Sequence, residues 1–145
     1  MGVFKIEGGH PLKGDITPQG AKNEALQVLC AVLLTDQKVT LHNVPDIQDV
    51  NKLISLLGNL GVKIQKLGKG SFSFQADDIN LDYLKSESFY YEGQALRGSI
   101  LIVGPLLTRF GVGYIPKPGG DKIGRRRLDT HFEGLVKLGA HFEYD

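Results

Sequence analysis

Leu60-Gly61-Val62-Lys63-Ile64 and Leu138-Gly139-Ala140-His141-Phe142 are the same short passage, the second 78 positions after the first. In each, a glycine closes a run of apolar residues at helical spacing and opens a short extended stretch. Glycine just past a helix readily takes the left-handed backbone that ends it. The first run is Val50, Leu53, Ile54, Leu56, Leu57 and Leu60; the second is Leu128, Phe132, Leu135, Val136 and Leu138. Both repeat at the 3.6-residue period of an amphipathic helix. The passage therefore reads as helix, glycine stop, strand, and it is written twice.

Working outward, the first copy has Val3-Phe4-Lys5-Ile6 and Leu12 to Thr17 as expected strands, Gly20 as a break, and an apolar helix from about Asn23 to Leu34. Val39-Thr40-Leu41 is the next expected strand. Asn43 and Pro45 mark a turn, and Asp46 is a plausible helix N-cap. Beyond Gly61, Val62-Lys63-Ile64 and Phe72-Ser73-Phe74 read as a hairpin around Gly68-Lys69-Gly70. The second copy repeats the order. Phe89-Tyr90-Tyr91 is an expected strand, Gly93 a break, and Ala95 to Leu107 an apolar helix with a kink or frayed turn at Pro105. Val112-Gly113-Tyr114-Ile115 and Ala140-His141-Phe142-Glu143 are expected strands, with Pro116, Pro118, Gly119 and Gly120 in a long turn. The expected fold is mixed α/β, built from repeated βαβαββ units, with the apolar helices buried between sheets or at a pseudo-symmetry axis. The second unit stops at Tyr144-Asp145, where the first would turn back into its closing strand, so the expectation is the N-terminal part of a longer protein.

Composition narrows the function. The 145 residues are 41% hydrophobic and 23% charged, as in ordinary globular proteins. A formal net charge of +1 argues against nucleic acid or a membrane surface as partner. The longest apolar stretch, Ala25 to Leu34, is broken by Gln27 and is too short to span a bilayer. A single cysteine, Cys30, excludes an intrachain disulfide framework and a Cys-rich zinc site, and it fits a reducing compartment. Cys30 sits among Leu29, Ala31 and Val32 and reads as packing. The opening Met1 to Gly9 has no apolar core of signal-peptide type, and a cytoplasmic location is expected. His10, His42, His131 and His141 lack zinc spacing, so no metal is expected. The glycines form neither a dinucleotide fingerprint nor a P-loop, and no cofactor is expected.

Three places suggest an anionic ligand. Lys22 and Asn23 stand where the first apolar helix begins. A lysine there opposes the helix dipole unless an anion lies between them, and Asn23 can cap the helix or donate to the ligand. Arg97 holds the parallel place in the second unit; an ion pair with Glu92 is its plain structural alternative. Lys117 to Arg127 carries Lys117, Lys122, Arg125, Arg126 and Arg127 around Asp121 in a glycine-rich stretch. It reads as a lid with Asp121 handling a proton and Arg126 clamping phosphate, or else as a solvated basic turn.

Taken together, Gly8-Gly9-His10-Pro11-Leu12-Lys13-Gly14, Gly20-Ala21-Lys22-Asn23, Asn43-Val44-Pro45, Leu96-Arg97-Gly98-Ser99 and Pro118 to Arg126 resemble the bacterial enolpyruvyl transferases, along essentially the whole chain. Asn23 favours the cell-wall branch over the shikimate-pathway branch, which has serine after the equivalent lysine. The resemblance implies an inside-out α/β barrel (an α-β prism) of six βαβαββ units in two domains, with the active site in the cleft between them. Residues 1–21 would pack on the other domain, and 22–145 would form about two units. The implied reaction moves the enolpyruvyl group of phosphoenolpyruvate to the 3′-hydroxyl of UDP-N-acetylglucosamine and releases phosphate. The implied partners are those two substrates and the remaining part of the same enzyme. Lys22 and Asp121 would be catalytic, and Lys22, Asn23, Arg97, Arg126, Arg127, Leu128, Asp129 and Thr130 would touch substrate. Asp121 stands where most members have cysteine and some aspartate, and Arg127-Leu128 replaces the more usual Pro-Val. The chain alone is expected to be inactive and to self-associate. The other reading is a non-catalytic repeat module that binds a nucleotide sugar or a protein partner.

Overall fold

The computed structural model describes residues 2–117, 119 and 127–143. Its first half holds α1 (Lys22–Ala31), β1 (Val39–Leu41), α2 (Gln48–Asn59), β2 (Lys63–Gly68) and β3 (Ser71–Gln75). The second half holds α3 (Glu87–Gln94), α4 (Val103–Phe110) and α5 (Asp129–Lys137). A 3-10 turn, Val32–Leu34, extends α1, so the helix expected from Asn23 to Leu34 is present. The strands form one antiparallel sheet in the order β1-β3-β2. β3 pairs Phe74 with both Val39 and Ile64, and β2 is irregular between Lys66 and Gly68. The fold is therefore mixed α/β.

Two start signals are corrected. Asp46 does not cap α2; the extended Ile47 holds that place without a side-chain bond, and Asp46 accepts from Asn51 Nδ2 at 2.8 Å. Asn23 does not cap α1; Ala21 holds the extended cap backbone, and Asn23 already lies inside the helix. A side chain caps a helix from outside its first turn.

The repeated glycine passage holds to the level of individual bonds. Leu60 closes α2, and Gly61 takes φ +107°. The Val62 N–H then donates to Leu57 O, and the Gly61 N–H to Gly58 O, both at 3.0 Å. After α5, Gly139 takes φ +98°. Ala140 N–H donates to Leu135 O at 3.0 Å and Gly139 N–H to Val136 O at 2.9 Å. Both are Schellman motifs with the same pair of bonds.

The strands of the second copy are not there. Phe89-Tyr90-Tyr91 is helical, inside α3, whose Ser86 cap accepts from Phe89 N–H at 3.1 Å. Three adjacent aromatics have no alternation to separate strand from helix; the cap decides. Gly93 is not a break but part of α3, where a Cβ would lie 2.6 Å from Pro116 Cγ. The apolar helix expected from Ala95 begins at Arg97, as a 3-10 turn over Arg97–Ile102 that passes into α4. Pro105 sits in the first turn of α4, just after the passage from 3-10 to α geometry, and not in a last turn. Among the described residues, 3–6, 12–17, 112–115 and 140–143 are not strands. Residues 2–19 are exposed throughout.

One core spans both halves. Leu29, Leu33, Leu53, Leu57, Leu60 and Phe74 of the first half pack with Phe89, Ile102 and Leu106 of the second. The 97–102 turn lies on α1 so closely that a Cβ on Gly98 would sit 3.2 Å from Leu26 Cδ1.

Candidate functional site

The site residues grow from helix starts set by this core. Leu26, Leu29 and Cys30 bury one face of α1 and leave its first turn, with Lys22 and Asn23, at the surface. No side chain caps that turn, so its free N–H groups carry partial positive charge. Lys22 Nζ donates to Asp49 Oδ2 at 2.7 Å, and Asp49 lies in the first turn of α2. Two helix starts are thus joined by one ion pair. The sequence reading missed Asp49, although its place in an acidic first turn after Asn43-Val44-Pro45 is a visible signal.

Arg97 opens the turn that packs on α1, and its three neighbours in the motif have structural tasks. Leu96 is buried, and Gly98 allows the approach of Leu26. Ser99, fully buried, places its Oγ 2.7 Å from Leu96 O and 2.8 Å from Gly93 O. The guanidinium is therefore carried on a backbone fixed from three sides. Glu92, the acid set against Arg97, accepts from Asn59 Nδ2 and from Tyr83 Oη, both at 2.9 Å. Burial and that hydrogen bond push the Tyr83 phenol up to about 12.

Of the basic stretch, Asp121 and Arg126 lie outside the described residues. Arg127 and Asp129 are paired with each other through guanidinium and carboxylate at the start of α5. Leu128 holds the cap position of α5, and Thr130 is exposed in its first turn. α5 has no buried residue.

A cavity of about 170 Å³ opens beside the start of α1, lined among others by Gly20, Glu24, Val28, His42 and Asn43. Lys22, Asn23 and Arg97 do not line it. Cys30 is buried, which pushes its thiol up to about 12, as expected of a packing residue. Among the described residues no group of three or more His, Cys, Asp or Glu is placed to hold a metal ion, and no helix is long and apolar enough to cross a membrane.

The family model of EPSP synthase (3-phosphoshikimate 1-carboxyvinyltransferase) matches residues 6–145, and the chain belongs to that family. Within it, the chain is 60% identical over 144 residues to a UDP-N-acetylglucosamine 1-carboxyvinyltransferase of Porphyromonas gingivalis, covering 99% of this chain and 33% of the relative. It is 56% identical over 145 residues to the protein of that name in Bacteroides thetaiotaomicron, and 43% identical to that in Idiomarina loihiensis, covering 33% and 34% of those relatives. The chain spans about one third of the length of the curated relatives it matches.

Proposed function

We propose that the chain forms part of an enolpyruvyl transferase that moves the enolpyruvyl group of phosphoenolpyruvate to the 3′-hydroxyl of UDP-N-acetylglucosamine and releases phosphate. This is the first committed step of peptidoglycan synthesis, carried out in the cytoplasm. The observation that carries the reading is 60% identity to a transferase of that name along 99% of the chain. The uncapped start of α1 with Lys22 supports it, because free N–H groups and an ammonium together suit a phosphate or carboxylate.

In this reading Asp121 gives its proton to the methylene carbon of phosphoenolpyruvate while the sugar 3′-oxygen bonds to C2 and passes its own proton to a base contributed by the rest of the enzyme. The product is a tetrahedral ketal. Phosphate then departs from C2 as the Asp121 carboxylate takes a proton back from the new methyl group, which restores the double bond and the acid form of Asp121. Lys22 and Arg97 hold the anionic groups and offset charge that develops on the departing phosphate. Asn23 donates to substrate, and Arg126, Arg127, Leu128, Asp129 and Thr130 meet the phosphate and the uridine part. Residues 1–21 pack on the rest of the enzyme, and 22–145 contribute two βαβαββ units to the prism. The site lies between two domains, so the 145-residue chain alone is inactive and tends to self-associate.

The test is a hybrid in which residues 1–145 replace the matching third of the Porphyromonas gingivalis relative. It should release phosphate from the two substrates, whereas the isolated chain stays at background. Lys22→Ala in the hybrid should lower kcat/KM by the equivalent of about 2–5 kcal/mol, the usual loss for a charge-assisted contact to a buried anion. Asp121→Asn should abolish turnover. Fosfomycin, an epoxide that alkylates the loop cysteine of family members, should leave the hybrid active and inactivate Asp121→Cys, with the adduct seen by mass spectrometry. An inactive hybrid, or full activity in Lys22→Ala, refutes the reading; a module that only binds would give the first result.

A further inference from the structure

Lys22 carries a substrate anion in the proposed function, and the inference here rests on that reading. Its ammonium ends a flexible four-carbon stem, which on its own presents charge poorly. The partner that fixes it comes from another helix, 27 residues away: Nζ lies 2.7 Å from Asp49 Oδ2. The two side chains are 47% and 35% exposed, and a pair so open to water adds little to stability. Its consequence is geometric. Asp49 is the second residue of α2, in a first turn that favours a carboxylate and lacks a capping side chain. The neighbouring acid, Asp46, is engaged with Asn51. Leu26 and Leu29 anchor α1 and Leu53 and Leu57 anchor α2 in one core, so the two starts keep a fixed relation. An ammonium has three donors, and one bond to Asp49 leaves two for a ligand.

We infer that Asp49 is a positioning residue: it holds the Lys22 ammonium at the start of α1, oriented for an incoming anion. Asp49 acts through Lys22 and does not touch the anion. The hybrid is titrated with inorganic phosphate while the backbone amides of residues 21–25 are followed by NMR. Wild type should show saturable shifts. Asp49→Asn and Lys22→Ala should each weaken phosphate binding about tenfold, the scale of one oriented charge contact. The double variant should be no weaker than either single one, because both remove the same contact. Asp49→Glu, which keeps the carboxylate, should recover part of the loss, and amides away from the site should not move in any variant. The inference is overturned if wild type gives no saturable shift, if Asp49→Asn binds as tightly as wild type or tighter, or if the two losses add. Turnover by the hybrid is a separate measurement: an active hybrid with an additive double variant sinks the role of Asp49 alone.

Discussion

Arg109 gathers three carbonyls from distant parts of the chain. Its Nη1 donates toward Leu33 O at 3.2 Å, Thr35 O at 3.1 Å and Ala76 O at 2.6 Å, and its guanidinium lies 4.9 Å from the Phe110 ring centroid. Arg109→Ala leaves those acceptors short of a donor and should cost about 2–4 kcal/mol, read as a lower urea midpoint at unchanged slope. Arg109→Lys should recover only part, since an ammonium lacks the planar guanidinium that reaches these carbonyls while lying near the Phe110 ring. Nothing in the sequence marks this role. Arg109 sits in the last turn of an apolar helix, where any cation suits the dipole, and its partners are 33 to 76 residues away. Cys30 is the opposite case, because its apolar neighbours give its burial away. With its thiol pushed up to about 12, it should be nearly inert to iodoacetamide at pH 8 in the folded chain and react readily in denaturant. Fast labelling without denaturant would contradict that burial.

The elements differ in how far they are local. A Schellman motif is made within six residues, so both glycine stops are legible, yet their surroundings differ. A Cβ at Gly61 would lie 2.4 Å from Asp78 O, whereas at Gly139 it meets nothing within 4 Å. Gly139→Ala should therefore cost about 1 kcal/mol, the strain of a left-handed alanine. Gly61→Ala adds a backbone clash and should cost clearly more, visible as the larger drop in thermal midpoint. Equal drops would refute the packing at Gly61. Strands are legible only where a partner exists. Val39–Leu41 and the hairpin pair through β3, while the stretches at 3–6 and 112–115 have apolar strand-like residues and no partner strand among the described residues. Pairing is a non-local property, and a period-2 pattern does not supply it. The site divides the same way. Lys22 and Arg97 stand out because each is a cation at the start of an apolar segment, but Asp49 becomes visible only when α1 and α2 meet.

For the whole molecule, the exposed opening segment and the shared core lead to different outcomes. Val3, Phe4, Ile6, Leu12 and Ile16 are between 88% and 98% exposed. Deleting residues 2–19 should change the unfolding free energy by no more than about 0.5 kcal/mol, since those side chains bury nothing. The same deletion should reduce concentration-dependent association in sedimentation, because it removes an apolar surface. A marked loss of stability would show that the segment packs on the fold.

The core that crosses from one repeat to the next also governs how the molecule opens. Leu29 and Phe74 share it with Phe89 and Leu106, so no surface between the halves is left for them to part along. Amide hydrogen exchange should report this as cooperativity. The slowest protons of α1, β3 and α4 should become accessible in one event, at one free energy and with one denaturant dependence. α5, with no buried residue, should exchange far earlier, as a separate and weaker unit.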